Sequence, residues 1–295
     1  MRAIVPTYTP RPSAMHATRA SVGAAYCASL ALVPILFENP IVLAAAGCAV
    51  LAAAVAAGVA SELRRFAQLS VPLVLLIVLV NALVSGQGDT LLVRGEELLG
   101  KRWGDVTLEA IAFGAVMGLR LMVLILALGL LSAAVDPDEL LRLFRRVSYR
   151  SALTASLATR LVPVLQRDAA RMSDAARCRP ESPGRAAVAR AALLGALDRA
   201  IDVAAALEVR GYAGARRPTR LPRPWSRHDL RFGASAIMIA AASIAAALAG
   251  IGSFVAYPRP EVAAGAPEGA LAVAILALAA APFATPGARL GVAGG

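Results

Sequence analysis

Six apolar runs set the terms for any fold of this 295-residue chain: about 20–37, 41–60, 69–86, 107–135, 232–256 and 269–284. A helix needs roughly 20 apolar residues to cross a bilayer, and each run comes close to or exceeds that length. A water-soluble fold has no interior large enough to hide them. Hydrophobic residues make up 58% of the chain and charged residues 17%, against roughly 45–50% and about 25% in soluble domains. The pattern predicts an all-α, polytopic membrane protein with about six transmembrane helices.

The basic residues assign sides. Cytoplasmic loops collect Lys and Arg. Arg2, Arg11 and Arg19 precede the first run, Arg64 and Arg65 follow the second, and Arg94, Lys101 and Arg102 lie between the third and fourth. The turn Glu38-Asn39-Pro40 has no basic residue, and 257–268 has only Arg259. Alternating sides places both termini in the cytoplasm of a multi-pass plasma (inner) membrane protein. The acidic residues Asp89, Glu96, Glu97 and Asp105 soften the assignment at 87–106. No small-x-small cleavage site follows the first run, so it reads as an uncleaved span. The expected organisation is a disordered cytoplasmic tail at 1–19, spans one to four at 20–135, a cytoplasmic helical domain at 136–231, spans five and six at 232–285, and a cytoplasmic tail at 286–295.

Segment 136–231 carries 19 of the chain's basic residues, all Arg, against 10 acidic ones. Its net charge of +9 is most of the chain's +11. Asp136-Pro137-Asp138-Glu139 opens a short amphipathic helix, with Asp as N-cap, Pro at the first position and Glu at the third. A second helix is predicted from about Ser151 to Arg179 and a third, opened by Ser182-Pro183, to about Val209, with Gly211 as its stop. Arg167, Asp168 and Arg171 in one, and Asp198, Arg199 and Asp202 in the other, keep both out of the bilayer, because a central charge costs about 2.5–3.5 kcal/mol. Leu193, Leu197, Ile201 and Ala204 form an apolar stripe at helical spacing. Such helices suit the cytoplasmic membrane face. Anionic lipid is one attractive partner for them. Nucleic acid is not expected, since aromatic residues for stacking are scarce.

Each long helix ends in small residues around an arginine: Ala175-Ala176-Arg177-Cys178 and Val209-Arg210-Gly211. A guanidinium projecting from such an end can reach a carboxylate or backbone carbonyls in a partner's groove. It can equally do no more than complement the helix dipole. Two further residues stand out. Pro163 interrupts the amide ladder of the second helix and predicts a kink. Arg120 lies inside the fourth run, where an arginine must face the bundle and bond carbonyls or a polar neighbour such as Asn81.

In order and spacing, these features resemble the transmembrane T component of energy-coupling factor (ECF) transporters, the CbiQ/EcfT family. The stretches that carry the likeness are Asn81-Ala82-Leu83, Val106-Thr107-Leu108-Glu109, Gly118-Leu119-Arg120-Leu121, Asp136-Pro137-Asp138-Glu139-Leu140, Ala158-Thr159-Arg160-Leu161-Val162-Pro163, Ala170-Arg171-Met172 through Arg177, and Leu207-Glu208-Val209-Arg210-Gly211-Tyr212. That family's hallmark is a pair of Ala-Arg-Gly or Ala-Arg-Ser motifs at the ends of two coupling helices. By resemblance Ala176-Arg177-Cys178 is the first and Val209-Arg210-Gly211 the second, with Cys replacing the third small residue in one and Val replacing Ala in the other.

The resemblance implies a non-catalytic scaffold that docks two ABC-type ATPases and a small membrane-embedded S component, for uptake of a vitamin or transition-metal ion. Consistent with that, no GxxxxGK[ST] phosphate loop is present, so ATP binding by this chain is not expected. The isolated histidines His16 and His228 and the scattered cysteines Cys27, Cys48 and Cys178 offer no metal or catalytic set. No cofactor is expected. The competing readings are the permease of a conventional ABC importer and a membrane anchor without transport. A membrane phosphotransferase is disfavoured by the absence of a DxxDG run.

Overall fold

The computed structural model describes residues 8, 10–84, 90–93, 97–98, 101–102, 106–144, 149–179, 184–211, 224–255, 261–262 and 265–284. The architecture is all-α, and the chain divides into two compact units, 1–137 with 225–295, and 138–224.

The first unit is a bundle of α1 (Ala20–Leu36), α2 (Pro40–Ala57), α3 (Ala60–Val84), α4 (Leu108–Ala134), α8 (Arg227–Leu248) and α9 (Ala266–Ala280). Five of its helical segments are long and apolar enough to cross a membrane, the last counted through Phe283; α1, with 17 residues, is shorter. Three short antiparallel ladders join the ends: Leu91–Val93 with Val106–Thr107, Glu97–Leu98 with Lys101–Arg102, and Phe254–Val255 with Glu261–Val262.

Side-chain size decides the packing. α3 and α4 approach closely at Gly114, where a Cβ would lie 3.0 Å from the Val78 Cα and 3.1 Å from the Asn81 Cβ. Without a strong hydrophobic drive between helices in lipid, such small residues supply the close contact. α1 packs on α8 and α4, and α2 on α9 and α4. Tyr26, Leu30, Val123, Leu130, Ile239 and Ile275 are fully enclosed or nearly so. The Tyr26 hydroxyl donates to the Ala279 carbonyl at 2.8 Å and the Ser235 hydroxyl to the Leu278 carbonyl at 2.7 Å. Carbonyls that the end of α9 leaves open are thereby satisfied.

Polar groups fix the helix ends. Asn39 caps α2, its side chain accepting from the Ile41 amide at 2.9 Å, with Pro40 at the first position. Asp229 is 0% exposed. It closes a capping box with Ser226, accepts from the Arg19 amide at 2.8 Å and pairs with the Arg19 guanidinium at 3.5 Å. Glu109 accepts from the Thr90 hydroxyl. Arg120 donates to the Pro34 and Ile35 carbonyls and to Glu38 at 3.0 Å, so an arginine of α4 caps the C-terminal end of α1.

Several expectations need correction. Arg120 does bond carbonyls, but Asn81 is not its partner: the Asn81 amide donates to the Ile77 carbonyl of its own helix at 2.9 Å. Asn81 faces α4 at Gly114, six residues and so about 9 Å along the axis from Arg120. The stretch 61–68 is the start of α3 and not a loop. α8 begins at Arg227, five residues earlier than hydropathy suggests, because Ser226 and Asp229 cap it. Within the tail expected to be disordered, residues 10–19 are folded onto the bundle: Met15 is 2% exposed and Arg11 pairs with Glu62. The tail expected at 286–295 lies outside the described residues, as do residues 1–7 and 9.

The second unit contains α5 (Pro137–Phe144, from its second residue on), α6 (Tyr149–Arg177) and α7 (Arg185–Val209). α6 continues through Pro163 without a break in helix, the Arg167 guanidinium donating to the Pro163 carbonyl at 3.2 Å. α7 is preceded by Gly184, which makes no side-chain cap; Ser182 and Pro183 lie outside the described residues.

Candidate functional site

α6 and α7 form an antiparallel pair. The Arg199 guanidinium of α7 donates to the Asp168 carboxylate of α6 at 2.7 Å. Four residues on, a Cβ placed on Gly195 would meet the Met172 methyl at 3.8 Å. Further along, Ala175 and Ala176 face Ala187, Val188 and Ala191 across a small cleft. Alanine dominates these surfaces, which favours the helix and leaves little interlocking bulk. The ion pair is partly exposed, so it contributes only about 0.2–1 kcal/mol.

Pairing in this sense carries Arg177 and Arg210 to opposite ends. Arg177 closes α6 beside the start of α7. Arg210 follows α7, roughly 30 Å away along that helix at 1.5 Å per residue. Both are exposed. The Arg177 side chain is 77% exposed and only 3.9 Å from Asp174, itself 76% exposed; a pair so open to solvent holds the arginine weakly. No hydrogen bond or ion pair holds the Arg210 side chain among the described residues.

The local backbone explains each end. At the first, the Cys178 amide donates to the Ala175 carbonyl and the Arg179 amide to the Ala176 carbonyl, both at 3.3 Å, tightening the last turn. Ala176 is buried and the Cys178 thiol is exposed. At the second, the Arg210 amide donates to Ala206 at 3.2 Å and the Gly211 amide to Glu208 at 2.8 Å. Gly211 has φ +71° with open space where a Cβ would lie, so glycine serves backbone conformation here and not clearance. Val209 is 90% exposed.

The cleft next to the first end was not legible in the sequence. It has a volume of about 250 Å³, with Met172, Ala175 and Ala176 on one wall, Ala187 and Ala191 on the other, and Arg179 at its rim. The predicted apolar stripe of α7 stands exposed at Leu193, Leu197 and Ile201. Among the described residues no cluster of His, Cys, Asp or Glu could hold a metal ion. The arrangement places two separated, exposed arginines at opposite ends of one helix pair, Arg177 beside the cleft and Arg210 between Val209 and Gly211.

A search of the curated proteins finds no match. Residues 13–221 match the profile of the family described as CbiQ, cobalt transport protein, a span that covers both arginine ends, Pro163, Arg120 and Asn81. With more than two thirds of its length matched and five helices able to cross a membrane, the chain belongs to the CbiQ family of membrane transport proteins.

Proposed function

We propose that this chain is the T component of an ECF-type importer: a scaffold that docks two cytoplasmic ABC-type ATPases at Ala176-Arg177-Cys178 and Val209-Arg210-Gly211, and holds a small membrane S component that binds a vitamin or a transition-metal ion. ATP hydrolysis belongs to the partners, and this chain is non-catalytic. It sits in the plasma membrane with both termini in the cytoplasm.

The observation that carries the reading is the placement of two exposed, weakly held arginines at opposite ends of one antiparallel helix pair. One arginine at a helix end is explained by the helix dipole. Two at opposite ends, roughly 30 Å apart, suit the two halves of an ATPase dimer. Movement of either half reaches the other through α6 and α7. The exposed stripe Leu193, Leu197 and Ile201 supplies an apolar surface for the S component.

Affinity purification of the detergent-solubilised chain from its native membrane, with partners identified by mass spectrometry, tests this. The wild type should recover two ATPase copies and a small membrane protein. Arg177→Glu or Arg210→Glu should each weaken ATPase recovery, and the double change should abolish it. Recovery that ignores both arginines in a folded chain overturns the reading.

A further inference from the structure

At the second arginine end Val209 projects into solvent from the last turn of α7. At the first, the end of α6 and the start of α7 flank a half-open cleft of about 250 Å³. Its walls are alanine, valine and methionine carbon. Its rim carries Arg179, with Arg177 within the same turn.

We propose that this cleft is a socket for one bulky apolar side chain of the ATPase docked at the first end, presented beside a carboxylate that meets Arg177 and Arg179. The proposal rests on the ATPase-docking reading and deepens it. Size supports it first. Small-molecule sites measure roughly 300–1,000 Å³, so the cleft is too small for such a ligand but large enough for an aromatic or long aliphatic side chain. Extent supports it next. The lining runs over about 6 Å of α6 and 6 Å of α7, too short to bury a lipid acyl chain along its length. Charge gives the rest of the partner's chemistry: a cationic rim around an apolar floor selects an apolar residue with an acidic neighbour. An anchor seated in a desolvated pocket next to a charged pair is how a small number of residues come to dominate an interface.

The test fills the cleft from each wall in turn, in the full chain. Ala191→Phe acts from α7 and Met172→Trp from α6, with Ala189→Phe, at an exposed position of α7 outside the lining, as the control of equal added bulk. A photoreactive phenylalanine at Ala186, an exposed neighbour outside the lining, reports what lies over the cleft. We expect it to cross-link to an ATPase peptide with adjoining apolar and acidic residues. Both filling variants should lower that cross-link and the ATPase recovery at least tenfold, and Ala189→Phe should stay within twofold of wild type. The thermal transition in detergent identifies filling variants that fold normally, and a single folded one suffices. Undiminished ATPase recovery in a folded filling variant overturns the socket, as does cross-linking to lipid alone. If Arg177→Glu and Arg210→Glu abolish recovery while the filling variants do not, the socket alone falls. If the arginine changes are also without effect, the docking reading falls with it.

Discussion

The bundle and the α6–α7 pair treat charge in opposite ways. In the bundle, charged groups are spent on the chain's own backbone. Asp229 binds two amides and a guanidinium out of contact with solvent, and Arg120 caps the end of α1. In the helix pair, Arg177 and Arg210 stand in solvent with little or nothing holding them. On the proposed function, the contrast would separate scaffold from docking element. A buried charge must be fully satisfied within the chain, since an unpaired one costs several kcal/mol. An exposed arginine costs the fold almost nothing and keeps its donors for a partner.

This contrast can be broken from the bundle side first. Asp229→Ala removes the acceptor of the Ser226 and Arg19 amides and leaves the Arg19 guanidinium without this counter-charge. We expect a loss of about 3–5 kcal/mol, read as a large fall in the thermal transition in mild detergent. An unchanged transition would mean that the buried carboxylate does not hold α8 to the start of α1. Next comes Gly114→Leu, which forces a branched side chain against the Val78 backbone. Overpacking of this kind costs about 1–3 kcal/mol, and the matched change at Gly184, where a Cβ meets open space, should be tolerated. The smallest effect sharpens the comparison from the other side. Arg199→Ala removes the ion pair that joins α6 to α7 and should cost no more than about 1 kcal/mol. A loss near that of Asp229→Ala would show that the helix pair uses charge as the bundle does.

The apolar runs were legible because a bilayer imposes length and composition together. Helix starts were less so. Glu62, Arg64 and Arg65 make 61–68 read as a loop, because hydropathy reports affinity for lipid and not backbone conformation; the helix simply continues into a more polar setting. The onset of α8 was written in Ser226 and Asp229, a local capping signal that a search for apolar runs passes over. Arg120 shows the limit for contacts. Sequence requires that it find oxygen, but the carbonyls that accept it belong to residues 34 and 35, whose proximity only the packing of α1 on α4 creates. That Arg177, Arg210 and Gly211 stand at helix ends could be read from the sequence because each end is local. The cleft could not, because it exists only where 172–179 faces 187–191.

The Asp168–Arg199 contact also divides the helix pair almost evenly. It lies nine residues before Arg177 on α6 and eleven before Arg210 on α7, or about 14 and 17 Å at 1.5 Å per residue. The ion pair that joins the two helices therefore stands close to the midpoint between the arginine ends, nearly equidistant from both.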